Sequence, residues 1–501
     1  MTQKLEQLLQ LSFAIRDFMW GNWMIALLVL TGILLTLVTG FIQVRKFIHA
    51  FGLVLRGAKG EDHAADDQGD ISPFAALMTA LAATVGNGNI AGVATAIATG
   101  GPGAPFWMWV SGFFGMATKY AEGFLGVKFR KVAEDGSMAG GPMYYIRYGL
   151  KNEKFAKFLG AAFAVCGAGA ALLGTGNMAQ SNSMALAFKS QFGIPPLISG
   201  LILTILVGIV IIGGIKRIGA VAERLVPTMI FLYVGGAMII VISRFTFIDD
   251  AFRVIIESAF SMQAVGGALI GTSVQRAISL GVSRGVLSNE SGLGSAAIAQ
   301  SASKSNDPAK NGLIAMTGTF IDTLFVNTFT TLTIVLTGVY LLTPAAGLKM
   351  IVSGSTLSPS EISLLHPEVI SMAEQVGYNL SQGGLSSTAL TITAFNSVIP
   401  FGGWIIAISS FLFGYTTLIG WSFYGEQCLE YLAGVKVKQT YRLVYILLLF
   451  FGAILQGKYL DIVWNVGDIA NAFMALPNLI GLILLAGLVA KITSESFGKG
   501  K

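Results

Sequence analysis

The chain has 501 residues, 54% of them hydrophobic and only 12% charged, where an ordinary soluble chain carries about 25% charged residues. Apolar runs of about 20 residues recur along the whole length, which defines an all-α polytopic membrane protein. The net charge of +6 is no sign of a nucleic-acid partner, because the basic residues sit in short stretches between apolar runs.

Eleven apolar segments follow in order. The first, residues 20–41, is too long for a signal-peptide core and lacks a small-residue cleavage pattern after it, so it is expected to remain as a membrane helix. An acidic stretch at 60–70 reads as a solvated linker. The second segment, 71–99, holds Ala82-Ala83-Thr84-Val85-Gly86-Asn87-Gly88-Asn89-Ile90-Ala91-Gly92. Backbone that leaves the helix at membrane depth must find partners in buried protein or a water-lined cavity, so this run is expected to be one broken half of a transport site. Segments three to six are 104–127, 158–188, 197–213 and 221–242. Cys166 and Cys428 lie in or beside apolar segments and give neither a disulfide framework nor a zinc pattern.

The seventh segment, 254–272, is interrupted by Gln263-Ala264-Val265-Gly266-Gly267-Ala268-Leu269-Ile270-Gly271-Thr272-Ser273. The eighth is 313–342. A long stretch at 343–384 reads as an outer lid with short helices. Segments nine to eleven are 389–424, 445–455 with its flanks, and 462–489, where Pro477 marks a potential break.

Charge placement sets the topology. Taking the connections alternately, roughly three quarters of the basic residues fall in one set, among them Arg45, Lys128, Arg130, Lys216, Arg276, Arg284, Lys310 and Lys436, which makes that set cytoplasmic. The amino terminus is then outside and the carboxyl terminus inside. Segments two to six and seven to eleven become two five-helix groups of opposite topology, each opening on a glycine-interrupted helix. Interrupted helices at matching places in inverted halves point to a transport site. The chain divides into a first helix and linker (1–70), a first repeat (71–250) and an inverted second repeat (251–501), within one membrane domain.

Four motifs carry a resemblance. They are Gly100-Gly101-Pro102-Gly103-Ala104-Pro105-Phe106-Trp107-Met108-Trp109, then Gly115-Met116-Ala117-Thr118-Lys119-Tyr120-Ala121-Glu122. The others are Gly176-Asn177-Met178-Ala179-Gln180-Ser181-Asn182 and Arg284-Gly285-Val286-Leu287-Ser288-Asn289-Glu290-Ser291-Gly292-Leu293-Gly294. Together the chain, from about residue 20 onward, resembles the alanine or glycine:cation symporter family (sodium:alanine symporters) of the amino acid–polyamine–cation superfamily. The resemblance implies the leucine-transporter-like five-plus-five inverted repeat preceded by one extra helix. It also implies sodium-driven uptake of alanine or glycine across a bacterial inner membrane. Family members commonly read Gly-Thr-Gly-Asn where this chain has Gly86-Asn87-Gly88-Asn89, so Asn87 bears on substrate preference.

A zwitterionic amino acid needs N–H donors for its carboxylate, and the start of a half-helix supplies them. Gly86, Asn87 and Gly88 are placed to do so, with Thr84 beside them. Its ammonium needs oxygens, which the unwound seventh segment (Gly266, Gly267, Gly271, with Thr272 next to it) and the side chains of Gln180 and Asn177 can offer. Trp421 is the candidate wall that limits side-chain size. Sodium is a hard cation held by carbonyls and hydroxyls. By resemblance to the leucine-transporter fold, the Ala82 and Val85 carbonyls face Thr416 and Thr417 of segment nine, with Ser409 and Ser410 as the competing pair. Thr84 and Asn89 are candidates for a second ion site.

Lys119 and Glu122 are three apart on one helix face and read as a structural ion pair. Asp322 and Asp468 lie within segments, and either offers proton coupling as the alternative to sodium. Ser288, Asn289 and Glu290 read as a helix cap or inner gate. The histidines His49, His63 and His366 fall in loops, so no histidine relay is expected. No carbonyl or charge ring suggests a channel, no catalytic constellation suggests an enzyme, and no P-loop suggests ATP driving. The expected partners are a small neutral amino acid, sodium and membrane lipid, with no organic cofactor and no nucleic acid.

Overall fold

A computed structural model describes residues 2–60, 67–174, 176–260, 270–342 and 387–498. An amphipathic α1 (Thr2–Met19) leads into α2 (Asn22–Val38) and then α3 (Phe47–Ala58). The second segment becomes α4 (Pro73–Thr84), a π-turn (Gly88–Gly92) and α5 (Val93–Gly100), bent by 51° at the break. Ser72 caps α4 by accepting the Ala75 N–H, with Pro73 in the first turn, a start signal of the usual kind. Next come α6 (Ala104–Lys128), a two-stranded hairpin of β1 (Lys131–Val132) and β2 (Met138–Ala139), and α7 (Pro142–Gly149).

The chain continues through α8 (Glu153–Leu173), α9 (Met178–Phe192), α10 (Pro196–Ile211), α11 (Gly214–Ser243) and α12 (Ile248–Phe260). Then come α13 (Ile270–Asn289), α14 (Ser295–Ser301) and α15 (Pro308–Thr319), which passes through a π-turn (Phe320–Val326) into α16 (Asn327–Leu336). The last four helices are α17 (Ser387–Asn396), α18 (Gly402–Ala433), α19 (Val437–Ile454) and α20 (Lys458–Phe497).

Among the described residues, seven helical stretches are long and apolar enough to cross a membrane, and the bent pair of α4 and α5 makes an eighth. The apolar side chains point outward where no other helix covers them. On α10, Leu197, Leu201, Ile202, Ile205 and Ile209 are exposed while Leu203 and Val207 are buried. Polar side chains gather inside: Thr79, Asn89, Glu122, Asp322 and Asn478 are fully buried. A surface greasier than the interior suits lipid as the solvent. At the centre α4 packs on α11 and α18, α6 on α13 and α15, and α8 on α18 and α20.

The structure departs from the sequence reading in several places. His49, read as a loop residue, lies in α3. Segment four crosses as one span but is interrupted between α8 and α9, where Gly174 meets Gly467 backbone to backbone; a Cβ on Gly467 would stand 2.1 Å from the Gly174 Cα. Segment nine is also two helices, α17 and α18, parted at Pro400 and at Phe401, whose φ is 60°. Segment eleven runs unbroken through Pro477, which is buried in the body of α20.

The seventh segment lies partly outside the described residues, and its described parts belong to two helices. Residues 254–260 belong to α12, which buries only one face, through Ala251, Val254, Ile255 and Ala259. Arg276 and Arg284, assigned to a cytoplasmic connection by the charge reading, lie inside α13. A hydropathy reading treats each arginine as the end of a span, whereas Arg284 turns into the protein interior and lines a cavity.

Candidate functional site

The first interruption begins where α4 ends. Val85 adopts extended backbone (φ −73°, ψ 94°), and the Gly86 N–H, no longer in a helix ladder, donates to Asn89 Oδ1 at 2.8 Å. The Gly88–Gly92 π-turn restarts the helix. Such turns are rare and cluster at functional sites.

A second interruption lies at 290–294, between α13 and α14. Glu290 (φ 56°), Gly292 (φ 93°) and Gly294 (φ 84°) all take left-handed backbone there, which glycine adopts at no steric cost. Glu122 of α6 holds this turn. Its Oε1 accepts the N–H groups of Gly292 and Gly294, each at 3.0 Å, and the Asn478 amide at 2.8 Å. Lys119 does not close an ion pair with it: its Nζ is buried without a hydrogen-bond partner among the described residues. The expected Lys119–Glu122 pair is therefore replaced by a carboxylate clamp on the glycine turn.

The two interruptions face each other. A Cβ on Gly88 would lie 3.7 Å from the Ser288 Cα. Between them opens a cavity of about 900 Å3, whose wall includes Thr84, Gly86, Asn87, Gly88, Gln180, Thr417 and Trp421, all anticipated from sequence, together with Ser288 and Glu290. Its far end reaches Arg16, Phe192, Arg284 and Asp468. Ser410, in the same wall, donates to Asn87 Oδ1 at 2.8 Å. The Glu290 carboxylate accepts the Trp421 indole N–H at 3.0 Å through Oε1 and the Ser295 hydroxyl through Oε2.

The other anticipated residues sit as follows. Thr417 Oγ1 donates to the Phe413 carbonyl and stands 2.8 Å from where a Gly86 Cβ would be. Ala82 and Val85 are buried at the end of α4. Thr416 turns the other way, towards Met229 Sδ and the carbonyls of Leu412 and Phe413. Asn177 is fully buried away from the cavity wall, donating to the Tyr445 carbonyl at 2.9 Å. Asn89 lies behind the wall, bonded to Asp322 and Asn327. Gly266 and Gly267 lie outside the described residues, as do the 343–384 stretch and the side chain of Thr272.

Glu290 is the wall residue that sequence reasoning left out of the binding set. The signal was present, since an ionisable side chain between apolar segments marks a functional position by default.

At the opposite end from Arg16 the bundle is shut. Asp70 and Ile71 donate their N–H groups to the Ala302 carbonyl, and Lys304 donates to the Ile71 carbonyl at 2.7 Å. Arg130 ties both strands down: Nη1 donates to the carbonyls of Ser301 (3.0 Å) and Ser303 (2.6 Å), and Nη2 to those of Gln68 (2.8 Å) and Ser305 (3.1 Å). Beside this seam, Lys438 donates to Asp135 in the hairpin at 2.8 Å. Burial alone would raise the Asp135 carboxyl, but the Lys438 ammonium and the Ser137 hydroxyl and N–H hold it down at about 2.

An apolar helical bundle in which two interrupted helices meet at an internal cavity with polar groups in its wall is the build of a secondary transporter. Sequence comparison narrows the class. Residues 5–500 match the model of the sodium:alanine symporter family. The sodium/alanine symporter AgcS of Methanococcus maripaludis is 46% identical over 479 residues, covering 96% of this chain and 95% of that protein. An uncharacterized transporter of Haemophilus influenzae is 42% identical over 488 residues, covering 97% and 96%. The amino-acid carrier protein AlsT of Bacillus subtilis is 33% identical over 487 residues, covering 96% and 90%.

The chain belongs to the sodium:alanine symporter family. It is a multi-pass membrane protein and a cation-coupled amino-acid transporter, not an enzyme.

Proposed function

We propose that this protein imports a small neutral amino acid, L-alanine or glycine, coupled to inward sodium, by alternating access. The observation that carries the reading is the meeting of the two helix interruptions at a cavity whose wall holds both free backbone and the Glu290–Trp421 pair. The substrate carboxylate takes the N–H groups at Asn87 and Gly88, where the restarted helix presents its positive end. The ammonium takes the Glu290 carboxylate, with Gln180 beside it. Trp421, held by Glu290, walls the side-chain pocket, with Thr84 next to the break. Sodium takes the carbonyls of Ala82 and Val85 and the hydroxyl of Thr417.

The fold we assign is the leucine-transporter-like five-plus-five repeat. Its first group is α4 with α5, α6, α8 with α9, α10 and α11. The second is α13 with α14, α15 with α16, α18, α19 and α20. Each group opens on an interrupted helix, and α2 is the extra helix in front, which makes eleven spans. With the amino terminus outside, the cavity end at Arg16 and Phe192 faces outward, and the seam at Arg130 is the closed inner gate. We favour sodium over a proton because the chain belongs to the sodium:alanine symporter family; proton coupling through Asp322 or Asp468 is the alternative.

The test is uptake of labelled L-alanine into proteoliposomes under an inward sodium gradient, compared with an equal potassium gradient at fixed pH. Accumulation with sodium alone is the expected result. Uptake that follows a pH gradient and ignores sodium overturns the coupling. No uptake of alanine or glycine under any gradient overturns the substrate.

A further inference from the structure

Lys119 of α6 carries a charge that the transport reading leaves unused. Its side chain is buried, at 2% exposure, and its Nζ has no hydrogen-bond partner among the described residues. A buried ionisable side chain in a membrane bundle is a functional feature by default. The helix that carries it lies directly against the second interruption, packing along α13 on one side and α14 on the other. One turn before Lys119, a Cβ on Gly115 would stand 3.0 Å from Ser291 Oγ. The Lys119 charge acts on two carboxylates of this turn: Glu122, which clamps it, and Glu290, its first residue.

The two carboxylates are supported differently. Glu122 Oε1 accepts three N–H groups, from Gly292, Gly294 and the Asn478 amide, while its Oε2 is unbonded. Several N–H donors of this kind sustain a carboxylate's charge by themselves. Glu290 accepts one N–H, from Trp421, and one hydroxyl, from Ser295. Neither carboxylate closes an ion pair among the described residues. A buried carboxylate without compensation neutralises itself by taking a proton. Of the two, Glu290 therefore depends more on a nearby cation. The cavity wall includes Glu290 but neither Lys119 nor Glu122, so the Lys119 charge reaches the cavity through Glu290. A cationic ligand there touches Glu290 and meets Lys119 only at longer range, where repulsion is weaker.

We propose that Lys119 is a positioning residue for transport: its buried charge keeps Glu290 ionised, so that the cavity presents a full negative charge to the substrate ammonium. The missing hydrogen bond is part of the arrangement. A direct Lys119–Glu290 bond would occupy an acceptor position on the carboxylate. With Nζ unbonded, the lone pairs not taken by Trp421 and Ser295 remain for the ligand. The proposal rests on the reading of Glu290 as the acceptor of the ammonium.

The test uses the purified full-length protein at one mildly alkaline pH, with two readouts. The first is equilibrium binding of labelled alanine in sodium buffer. The second is the infrared difference spectrum, in which a protonated carboxylic acid shows a C=O stretch that a carboxylate lacks. Lys119→Met is expected to weaken alanine binding by roughly 10- to 100-fold, the value of one charge-assisted bond. It is also expected to show an acid C=O band that vanishes when Glu290→Gln is added. The double variant is expected to bind alanine no more weakly than Glu290→Gln alone, because residues that act through one another are not additive. Lys119→Arg keeps the charge and is expected to stay close to the wild type, without the band. If Lys119→Met fails to fold, the difference between the wild type and Glu290→Gln carries the test, and no acid band from Glu290 is expected in it.

An acid band from Glu290 in the wild type overturns the proposal. So does a band in Lys119→Met that Glu122→Gln removes and Glu290→Gln leaves, which assigns the charge to Glu122. Losses that add in the double variant overturn it as well, since they mark a purely structural lysine. Wild-type alanine affinity in Lys119→Met with no new band discards the role of Lys119 and keeps the amino-acid reading. A Glu290 band in Lys119→Met, in a protein whose wild type binds no alanine, keeps the Lys119–Glu290 assignment and discards that reading.

Discussion

Arg130 is the residue whose loss should open the sealed end of the bundle. Its guanidinium joins two segments that must separate there, the approach to α4 at 67–71 and the exit from α14 at 301–305. The bonds to Ser301, Ser303 and Ser305 are partly buried, and those to Gln68 and Asn306 are exposed. Hydrogen bonds to a charged group contribute about 1.5–3 kcal/mol each when shielded and little in water. The three shielded bonds all run to 301–305, and the bond to 67–71 is the exposed one to Gln68, so Arg130→Ala should favour the open end by about 1 kcal/mol, or roughly fivefold.

The reporters are the amides of Asp70, Ile71 and Lys304, whose bonds cross the seam. Hydrogen exchange in peptides covering 67–73 and 302–306 should accelerate by about that factor, since exchange follows the population of the open form. Peptides from the middle of α6 should be unchanged. Arg130→Lys keeps the charge but loses the fork that reaches several carbonyls at once, so it should fall between. Unchanged exchange at the seam in Arg130→Ala would refute the assignment of the lock.

Other predictions follow from single contacts. Thr417→Val should raise the sodium midpoint for alanine binding by about tenfold, while Thr416→Val, whose hydroxyl is turned to Met229, should leave it within about twofold; equal effects in a sodium titration would argue against the ion site. Glu290→Gln keeps one acceptor oxygen for the Trp421 N–H and turns the Ser295 hydroxyl into an acceptor of the amide, but loses the charge, so alanine affinity should fall by roughly 10- to 100-fold, the value of one charge-assisted bond. Equilibrium binding that stays at the wild-type level would remove Glu290 from the site. Gly467→Ala drives a methyl into the Gly174 backbone and should cost about 1–3 kcal/mol or more, seen as a lower melting temperature. Gly487→Ala, with nothing within 4 Å of its added Cβ, should not. Asp135, held at about 2, stabilises the hairpin above its unfolded value near 3.9 and loses that contribution as pH falls through about 2. Its contact with Lys438 is therefore constant across pH 5 to 9, and Asp135→Asn should leave the shape of the pH–uptake curve unchanged.

The first break was legible because three glycines and small polar residues at membrane depth leave few alternatives to unwinding. The second was harder. Glycine density points to the run at 263–273, most of which lies outside the described residues, while among the described residues Ser288 faces Gly88 just before the interruption at 290–294, where two glycines and Glu290 take left-handed backbone. Its Ser288-Asn289-Glu290 run looks like a cap because each residue is polar and local bonding is cheap. What makes it a site is its neighbours, and those are remote in sequence: Trp421 bonds Glu290 from 131 residues away, Glu122 bonds Gly292 from 170, and Asn89 bonds Asp322 from 233. No local pattern encodes such pairs.

Hydropathy compounds the problem. It treats each charge as an exit from the membrane, and so it ended a segment before Arg276 and Arg284 although both lie within α13. A transporter, however, must keep polar groups at membrane depth in order to receive a polar cargo. The residues a hydropathy reading discards as loop are then the ones the cavity recruits, and Arg284, Glu290 and Asp468 all stand in its wall. Asp322 escaped this error because a single acid in segment eight did not end the span. It was recognised as an intramembrane carboxylate, but its setting depends on Asn89 and Ser288 arriving from two other parts of the chain. The interrupted helices bring those parts together: the Asn89 amide accepts the Gly86 N–H through Oδ1 and donates to Asp322 Oδ1 through Nδ2, so the break at Gly86 and the carboxylate at Asp322 are joined through one side chain.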